Sequence, residues 1–224
     1  MLRALAQDEA FSEVPAVVLQ ALVDQATVVN ATKGEYVYES GEHWGKLGFV
    51  VSGCIAMLAH GDDAKEHLYE HTYDGQFFGV SAMFDGGSEM ARTVVVSNKA
   101  RYVTIDRDIA LNLCKKHGTL ATAFAMTLAR RVRRTTALLA DQVSLSAQKR
   151  LARYLLTFAT GEGLAPAREP LPLMTQAQIG AAAGTGKDVA ARTIGIFEKR
   201  GALKRERGNI TWLDRMRLTE LGGL

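Results

Sequence analysis

Cysteine is scarce in this sequence: Cys54 and Cys114 are the two in 224 residues. Two thiols are too few for a disulfide framework or a four-thiolate metal site, and such usage points to a reducing cytoplasm. Long apolar runs are lacking as well. No stretch approaches the 18 uncharged apolar residues of a membrane-spanning helix, so no membrane partner is expected. Asp8, Glu9 and Glu13 stand where a secretory leader would carry its apolar segment, which argues against export. Catalytic signatures are missing too. Paired carboxylates, a nucleophile elbow and metal-ligand spacing do not occur at recognisable positions, so an enzyme is not expected.

What is present is a charge asymmetry hidden by a net charge of +3. Residues 1–106 hold 7 Lys/Arg against 15 Asp/Glu, and residues 107–224 hold 20 against 9. An acidic half followed by a basic half is the mark of a chain whose second part meets a polyanion. The length is ample for two small domains with proper cores.

Residues 14–25 have helical spacing (Val14, Val18, Leu22) and predict a short amphipathic helix. From 27 to 105 short β-rich runs follow one another: Tyr36 to Tyr38, Leu47 to Val51, Ile55 to Leu58, His67 to Tyr69, Thr93 to Val96 and Tyr102 to Ile105. Gly-containing turns separate them at Gly34, Gly41, Gly53, Gly61 and Gly75, so an all-β antiparallel sandwich or barrel is expected. A short helix over 108–117, with Gly118 as its C-cap, leads into a stretch from 119 to 143 without Gly or Pro. There Phe124, Leu128, Arg131, Thr135, Leu138 and Gln142 follow 4-3 spacing, the seam of a coiled coil. A helix of about 25 residues is nearly 40 Å long, and pairing with a second copy would bury its stripe, the alternative being that it packs across the protein's own barrel. The arginines at 130, 131, 133 and 134 would also suit a membrane-surface helix, but the stripe lacks Trp and is long enough to zip a dimer.

Ser146 is expected to cap a further helix with Leu151, Leu155 and Phe158 on one face. Three of the four prolines fall within 161–172, which reads as a loop. Thr175 then caps a helix that turns at Gly184-Thr185-Gly186 into a second one. Ile179, Ala182 and Ala183 allow close crossing, and Gly184 tolerates a left-handed turn. In the second helix Ala190, Ile194 and Phe197 face inward, leaving Lys187, Asp188, Ala191, Arg192 and Gly195 outward. A thin face with basic heads suits the major groove, where Arg or Lys donates to guanine and Asp accepts from cytosine. Two short strands over 202–205 and 210–213, with Lys204, Arg205 and Arg207, form a wing for phosphates, and Asp214 caps a closing helix. Gly184 to Lys187 has a P-loop flavour, but Ala181 and Asp188 replace the glycine and the magnesium-binding hydroxyl.

As a whole the chain resembles the CRP/FNR superfamily of bacterial transcription regulators. The resemblance rests on Gly34-x-Tyr-Val-Tyr-x-x-Gly41, Phe49-Val-Val-Ser-Gly53, Gly75-Gln-Phe-Phe-Gly79, Ala129-Arg-Arg131, Lys149-Arg-Leu-Ala152 and the helix-turn-helix, in that order. It implies an α+β chain in three parts: a cyclic-nucleotide-binding-like antiparallel β-barrel of jelly-roll (double-stranded β-helix) type over 1–117, a dimerisation helix over 118–145, and a winged helix-turn-helix over 146–224. The DNA-binding set it implies, with the helix start and the wing included, is Thr175, Gln176, Lys187, Asp188, Arg192, Arg205 and Arg207. Double-stranded DNA, a second copy of the chain and RNA polymerase are the expected partners.

The effector pocket of the family maps to Gly79, Val80, Ser81, Met90, Arg92, Thr93, Thr135 and Thr136, and here the match weakens. Members that bind cyclic AMP have an acidic residue at Val80 to accept from the ribose, which a valine cannot do. An ungapped count puts Met90 and Ala91 at the family's Arg-Ser pair, although Arg92 lies two residues on, where strand alternation predicts the same face. Thr135 and Thr136 match the purine-contacting hydroxyls. The residues therefore argue against a cyclic nucleotide and leave haem, another small effector or no effector open. His43, His60, His67, His71 and His117 are available, yet none lies at 77–81, where a carbon-monoxide-sensing relative holds its haem. An iron–sulfur sensor would need clustered N-terminal cysteines. Cys54 and Cys114 are expected to be buried and inert. The competing function is a cyclic-nucleotide-binding regulatory module that does not act through DNA.

Overall fold

A computed structural model describes residues 1–60, 66–87, 92–161, 163–168, 171 and 174–224. The turn expected at Gly61 and the pocket residue Met90 lie outside these. The chain divides into two compact units. One comprises Met1–Ala59 with His71–Thr136, and the other His60–Glu70 with Ala137–Leu224.

The first unit is built on two four-stranded sheets. Strands β1 (Thr27–Thr32), β2 (Tyr36–Tyr38), β3 (Lys46–Ser52), β4 (Cys54–His60), β5 (Glu66–Tyr73), β6 (Phe77–Phe78), β7 (Arg92–Val95) and β8 (Lys99–Asp106) are arranged β1-β8-β3-β6 and β2-β7-β4-β5. β8 runs antiparallel to both β1 and β3. β7 likewise runs antiparallel to β2 and β4. Strand alternation explains how this unit carries two cores. In β3, Leu47 and Phe49 join a cluster with the helices, while Val50 points into the space between the sheets. In β8, Val103 and Ile105 go to the helices, and Ala100 and Tyr102 go to the interior. A strand buried on both faces reads as a continuous apolar run, which is the texture of Leu47 to Val51.

The interior holds a group of aromatic side chains among Ala, Val, Ile and Met. Tyr38 and Trp44 lie 4.9 Å apart between centroids, and Phe78 and Tyr102 meet edge to face at 5.8 Å. The Phe78 ring lies directly over Gly48, where an added Cβ would be 2.0 Å from it. No side chain larger than hydrogen fits there.

The other core packs helices on the β3/β8 sheet. These are α1 (Leu2–Gln7), α2 (Ala16–Asp24), α3 (Val80–Asp85), α4 (Arg107–Lys116) and the start of α5 (Gly118–Ser144). The expectation of an all-β stretch over 27–105 is corrected by α3, which sits within it, and α1 and a 3-10 turn at Glu9–Phe11, not expected either, precede it. α1 and α3 span only six residues each, too short to show helical periodicity. Gly118 is not a C-cap. His117 closes α4 in an extended conformation and Gly118 opens α5. Asp106 caps α4 by accepting from Asp108 N.

The second unit contains the rest of α5, then α6 (Ala147–Leu156), β9 (Leu164–Pro166), α7 (Gln176–Ala182), α8 (Lys187–Lys199), β10 (Leu203–Glu206), β11 (Asn209–Asp214) and α9 (Arg215–Gly222). Ser146 caps α6 and Asp214 caps α9, as expected. Leu151, Leu155 and Phe158 are all buried. The loop expected over 161–172 contains β9, which pairs with β11. The proline that masked this strand is its last residue, an edge position where the missing N–H costs nothing.

Candidate nucleic-acid interface and effector pocket

The helix-turn-helix is assembled from local signals. Thr175 Oγ1 accepts from Gln178 N at 3.2 Å, and Gln178 Oε1 accepts from Thr175 N at 2.9 Å, a complete capping box at the start of α7. Gly184 turns the chain at φ +64. A close crossing of α7 on α8 is made at Gly180, which the spacing did not mark out. A Cβ on Gly180 would stand 2.8 Å from the Ala190 methyl, so only glycine allows this approach.

On α8, Ala190, Ile194 and Phe197 are fully buried. Lys187, Asp188 and Arg192 are exposed, with Ala191 and Gly195 half-buried. The spacing therefore put the correct side outward. Gln176 is half-buried and Thr175 exposed at the start of α7.

The wing closes through Arg207 (φ +51) and Gly208 (φ +84), two successive left-handed residues that match the twist of a two-residue hairpin. Arg207 is exposed at this tip. Arg205 is held differently: its backbone N donates to Glu198 Oε1 at 3.2 Å, and its guanidinium Nε and Nη2 donate to Glu198 Oε2, the former at 2.9 Å. These hydrogen bonds lower the Glu198 pKa and raise that of Arg205. Arg205, expected on phosphates, is engaged by Glu198 in this structure and fastens the wing to α8. Nothing in the spacing of the wing residues signals this, because Glu198 lies on another element.

In the sensor unit the expected pocket residues separate. Gly79 turns at φ +72, and a Cβ there would stand 2.9 Å from the Lys46 carbonyl. Val80 begins α3 and is buried in the helix-side core, while Ser81 is exposed. Arg92 does not share the interior. Thr93, opposite Tyr38 and Met57 in the two ladders, is fully buried, and Arg92 lies on the other face of the strand. Its Nε donates to Glu39 Oε2 at 2.7 Å, and its guanidinium stacks 4.8 Å from the Tyr36 ring centroid. The Thr93 hydroxyl finds no partner among the described residues. Thr135 and Thr136 are exposed on α5.

Three of the four arginines of α5 interact with groups of the sensor unit. Arg130 pairs with Asp8 at 2.8 Å and Glu9 at 3.0 Å. Arg131, expected in the dimer seam, reaches Met57 Sδ at 3.5 Å. Arg134 acts electrostatically on His71, a buried imidazole of β5. Burial first, and Arg134 second, lower the His71 pKa from 6.5 to about 4. Above pH 6.5 this imidazole is neutral whether the chain is folded or not. As pH falls towards 4, only the unfolded chain takes up the proton, so stability is lost on acidification. Wild type is expected to lose up to about 3 kcal/mol more than His71→Gln between pH 6.5 and 4 in urea unfolding. Parallel curves would show that His71 is not buried neutral.

Among the expected seam residues, Phe124 is corrected: it is fully buried within its own unit, against Phe11, Phe77 and Phe84. Leu128 packs partly on the same core. Thr135, Leu138 and Gln142 are exposed, and so are Val132, Leu139 and Val143. Apart from Met126, the large apolar side chains left exposed on α5 thus lie in its later half. Cys54 and Cys114 are buried, and burial pushes the Cys114 thiol up to about 11. Among the described residues no group of His, Cys, Asp or Glu could hold a metal ion, and no helix is long and apolar enough to cross a membrane.

Residues 28–117 match the cyclic nucleotide-binding domain family, and residues 149–221 match the Crp-like helix-turn-helix domain. The chain belongs to the CRP/FNR superfamily. A CRP-like cAMP-activated global transcriptional regulator of Mycobacterium tuberculosis is 27% identical over 218 residues, covering 96% of each chain. The cAMP-activated global transcriptional regulator Vfr of Pseudomonas aeruginosa is 24% identical, over 75% of this chain and 80% of its own. The structure of FixK2 from Bradyrhizobium japonicum shares the fold with a TM-score of 0.75 at 18% identity, covering 88% of this chain and 96% of that one. This CRP/FNR protein is a DNA-binding transcription regulator, and its helix-turn-helix is the DNA-binding domain.

Proposed function

We propose that the protein is a cytoplasmic homodimer without enzymatic activity that reads a specific operator. In this reading the helix over 118–145 is the dimerisation element. Its geometry fixes the spacing of two recognition helices to one DNA turn, about 34 Å. The observation that carries the reading is α8, which buries Ala190, Ile194 and Phe197 and turns Lys187, Asp188 and Arg192 outward. The uncovered apolar stretch of α5 supports pairing with a second copy. RNA polymerase is the further partner through which such a regulator would act.

The barrel is the sensor, and its effector differs from cyclic AMP in how it would be held. Val80 offers no acceptor for a ribose hydroxyl and is committed to the core, and Arg92 is engaged by Glu39. The relatives' names speak for cAMP, whereas these two residues speak for a different small effector.

Arg192→Ala tests the DNA reading. On a sequence selected by the wild-type protein it should cost roughly 1–3 kcal/mol and relax preference at one base position, measured by competition gel shift at physiological salt. Unchanged preference would remove Arg192 from base readout. A wild-type protein unable to distinguish selected from random DNA would favour the regulatory module that does not act through DNA.

A further inference from the structure

One guanidinium ties the recognition-helix hairpin to the end of the long helix. Arg150, half-buried on α6, donates from Nη1 to Leu145 O at 2.6 Å, from Nε to Ala183 O at 3.0 Å and from Nη2 to Gly184 O at 2.8 Å. These carbonyls belong to two helix ends. Leu145 follows the last residue of α5, and Ala183 and Gly184 close α7. Helix C-termini leave carbonyls without intrahelical partners and carry partial negative charge. A planar guanidinium, whose donors sit on three nitrogens in a fixed fork, satisfies both ends at once in a set geometry that the single nitrogen of an ammonium does not impose.

The chain between these ends is a sharp break. Leu145 N still bonds Asp141 O, but Ser146 is extended (φ −63, ψ 154) and caps the next helix. Two more contacts tie α5 to α6 and to the hairpin turn. Arg153 Nη1 pairs with Asp141 Oδ1 at 2.7 Å, and the Gln142 amide lies against Gly184, 3.2 Å from where a Cβ would be. Arg150 thus hydrogen-bonds the end of α5 and the turn of the hairpin at once.

We propose that Arg150 is a positioning residue, which makes the recognition-helix hairpin follow the C-terminal end of α5 instead of pivoting at Ser146. Its consequence for DNA rests on the homodimer reading. With two hairpins to be placed at a fixed spacing, a loose joint weakens binding to paired half-sites and leaves one half-site almost untouched.

The test uses full-length Arg150→Met and Arg150→Lys. Affinities are measured by fluorescence anisotropy for a wild-type-selected operator and for the same DNA with one half-site scrambled. Arg150→Met should weaken binding to the intact operator at least tenfold and to the single half-site no more than about threefold. Arg150→Lys keeps the charge without the fork and should fall between wild type and Arg150→Met, and it carries the test if Arg150→Met does not fold. Equal weakening on both DNAs, or none on either, overturns the proposal. A separate readout does not depend on dimerisation. Spin labels on cysteines introduced at Ser144 and Lys199, both exposed, report the distance from the end of α5 to α8 within one chain when labelled protein is diluted with unlabelled. A narrow wild-type distribution that broadens in the variants supports the positioning role, and identical widths overturn it. If wild type itself gains nothing from a second half-site while the distances broaden, the homodimer reading fails and the role of Arg150 stands.

Discussion

Phe124→Ala is expected to destabilise the sensor unit by about 3–5 kcal/mol while leaving self-association within about threefold of wild type. The ring is fully buried and meets three others: Phe77 at 5.1 Å, Phe11 at 5.6 Å and Phe84 at 6.3 Å, all edge to face. It therefore joins the start of α5 to the N-terminal 3-10 turn, β6 and α3. Truncation removes these contacts and leaves a cavity that rigid strands cannot fill. Urea unfolding followed by tryptophan fluorescence measures the loss, and sedimentation velocity measures association. Near-normal unfolding with weakened association would return Phe124 to the seam between subunits.

Leu138→Glu should act in the opposite sense. Leu138 is 46% exposed, so a polar side chain there costs its own unit little. In a two-fold dimer the same substitution enters the interface twice, and each carboxylate loses water without gaining a partner. We expect the dimer dissociation constant to rise at least 100-fold, or about 2.7 kcal/mol, with the far-UV circular dichroism of the full-length protein unchanged. Intact self-association in this variant would place the partner surface elsewhere on the chain.

Phe124 and Leu138 share one sequence pattern and part company in the structure. The helix-turn-helix was legible because its determinants are local: a capping box at Thr175, a left-handed glycine at 184, and inward residues at 190, 194 and 197. Most barrel strands were legible for the same reason. β1 and β6 were not marked out, since Thr27–Thr32 mixes polar residues and Phe77–Phe78 is two residues long. The seam spacing was real as periodicity, yet its first members serve an internal core. A 4-3 repeat does not say which surface covers it, and Phe124 is covered by residues about 40 or more positions away.

Partner choice among charges was the least legible. Arg92 is engaged by Glu39 and Arg205 by Glu198, and neither carboxylate belongs to the motif that drew attention to the arginine. The basic excess on the long helix was similarly opaque. Arg130 answers Asp8 and Glu9, so part of that positive charge balances the acidic half of its own unit. The acidic-then-basic division of the chain thus marks a DNA-binding end without every cation in it facing DNA.

The central claim is tested most directly by selecting bound sequences from a random double-stranded DNA pool at physiological salt with the full-length protein. A homodimer that reads an operator enriches an inverted repeat whose half-site centres lie about one helical turn, roughly 10–10.5 base pairs, apart. Recovery of sequences no more enriched than the starting pool, or of a single half-site without symmetry, would contradict it.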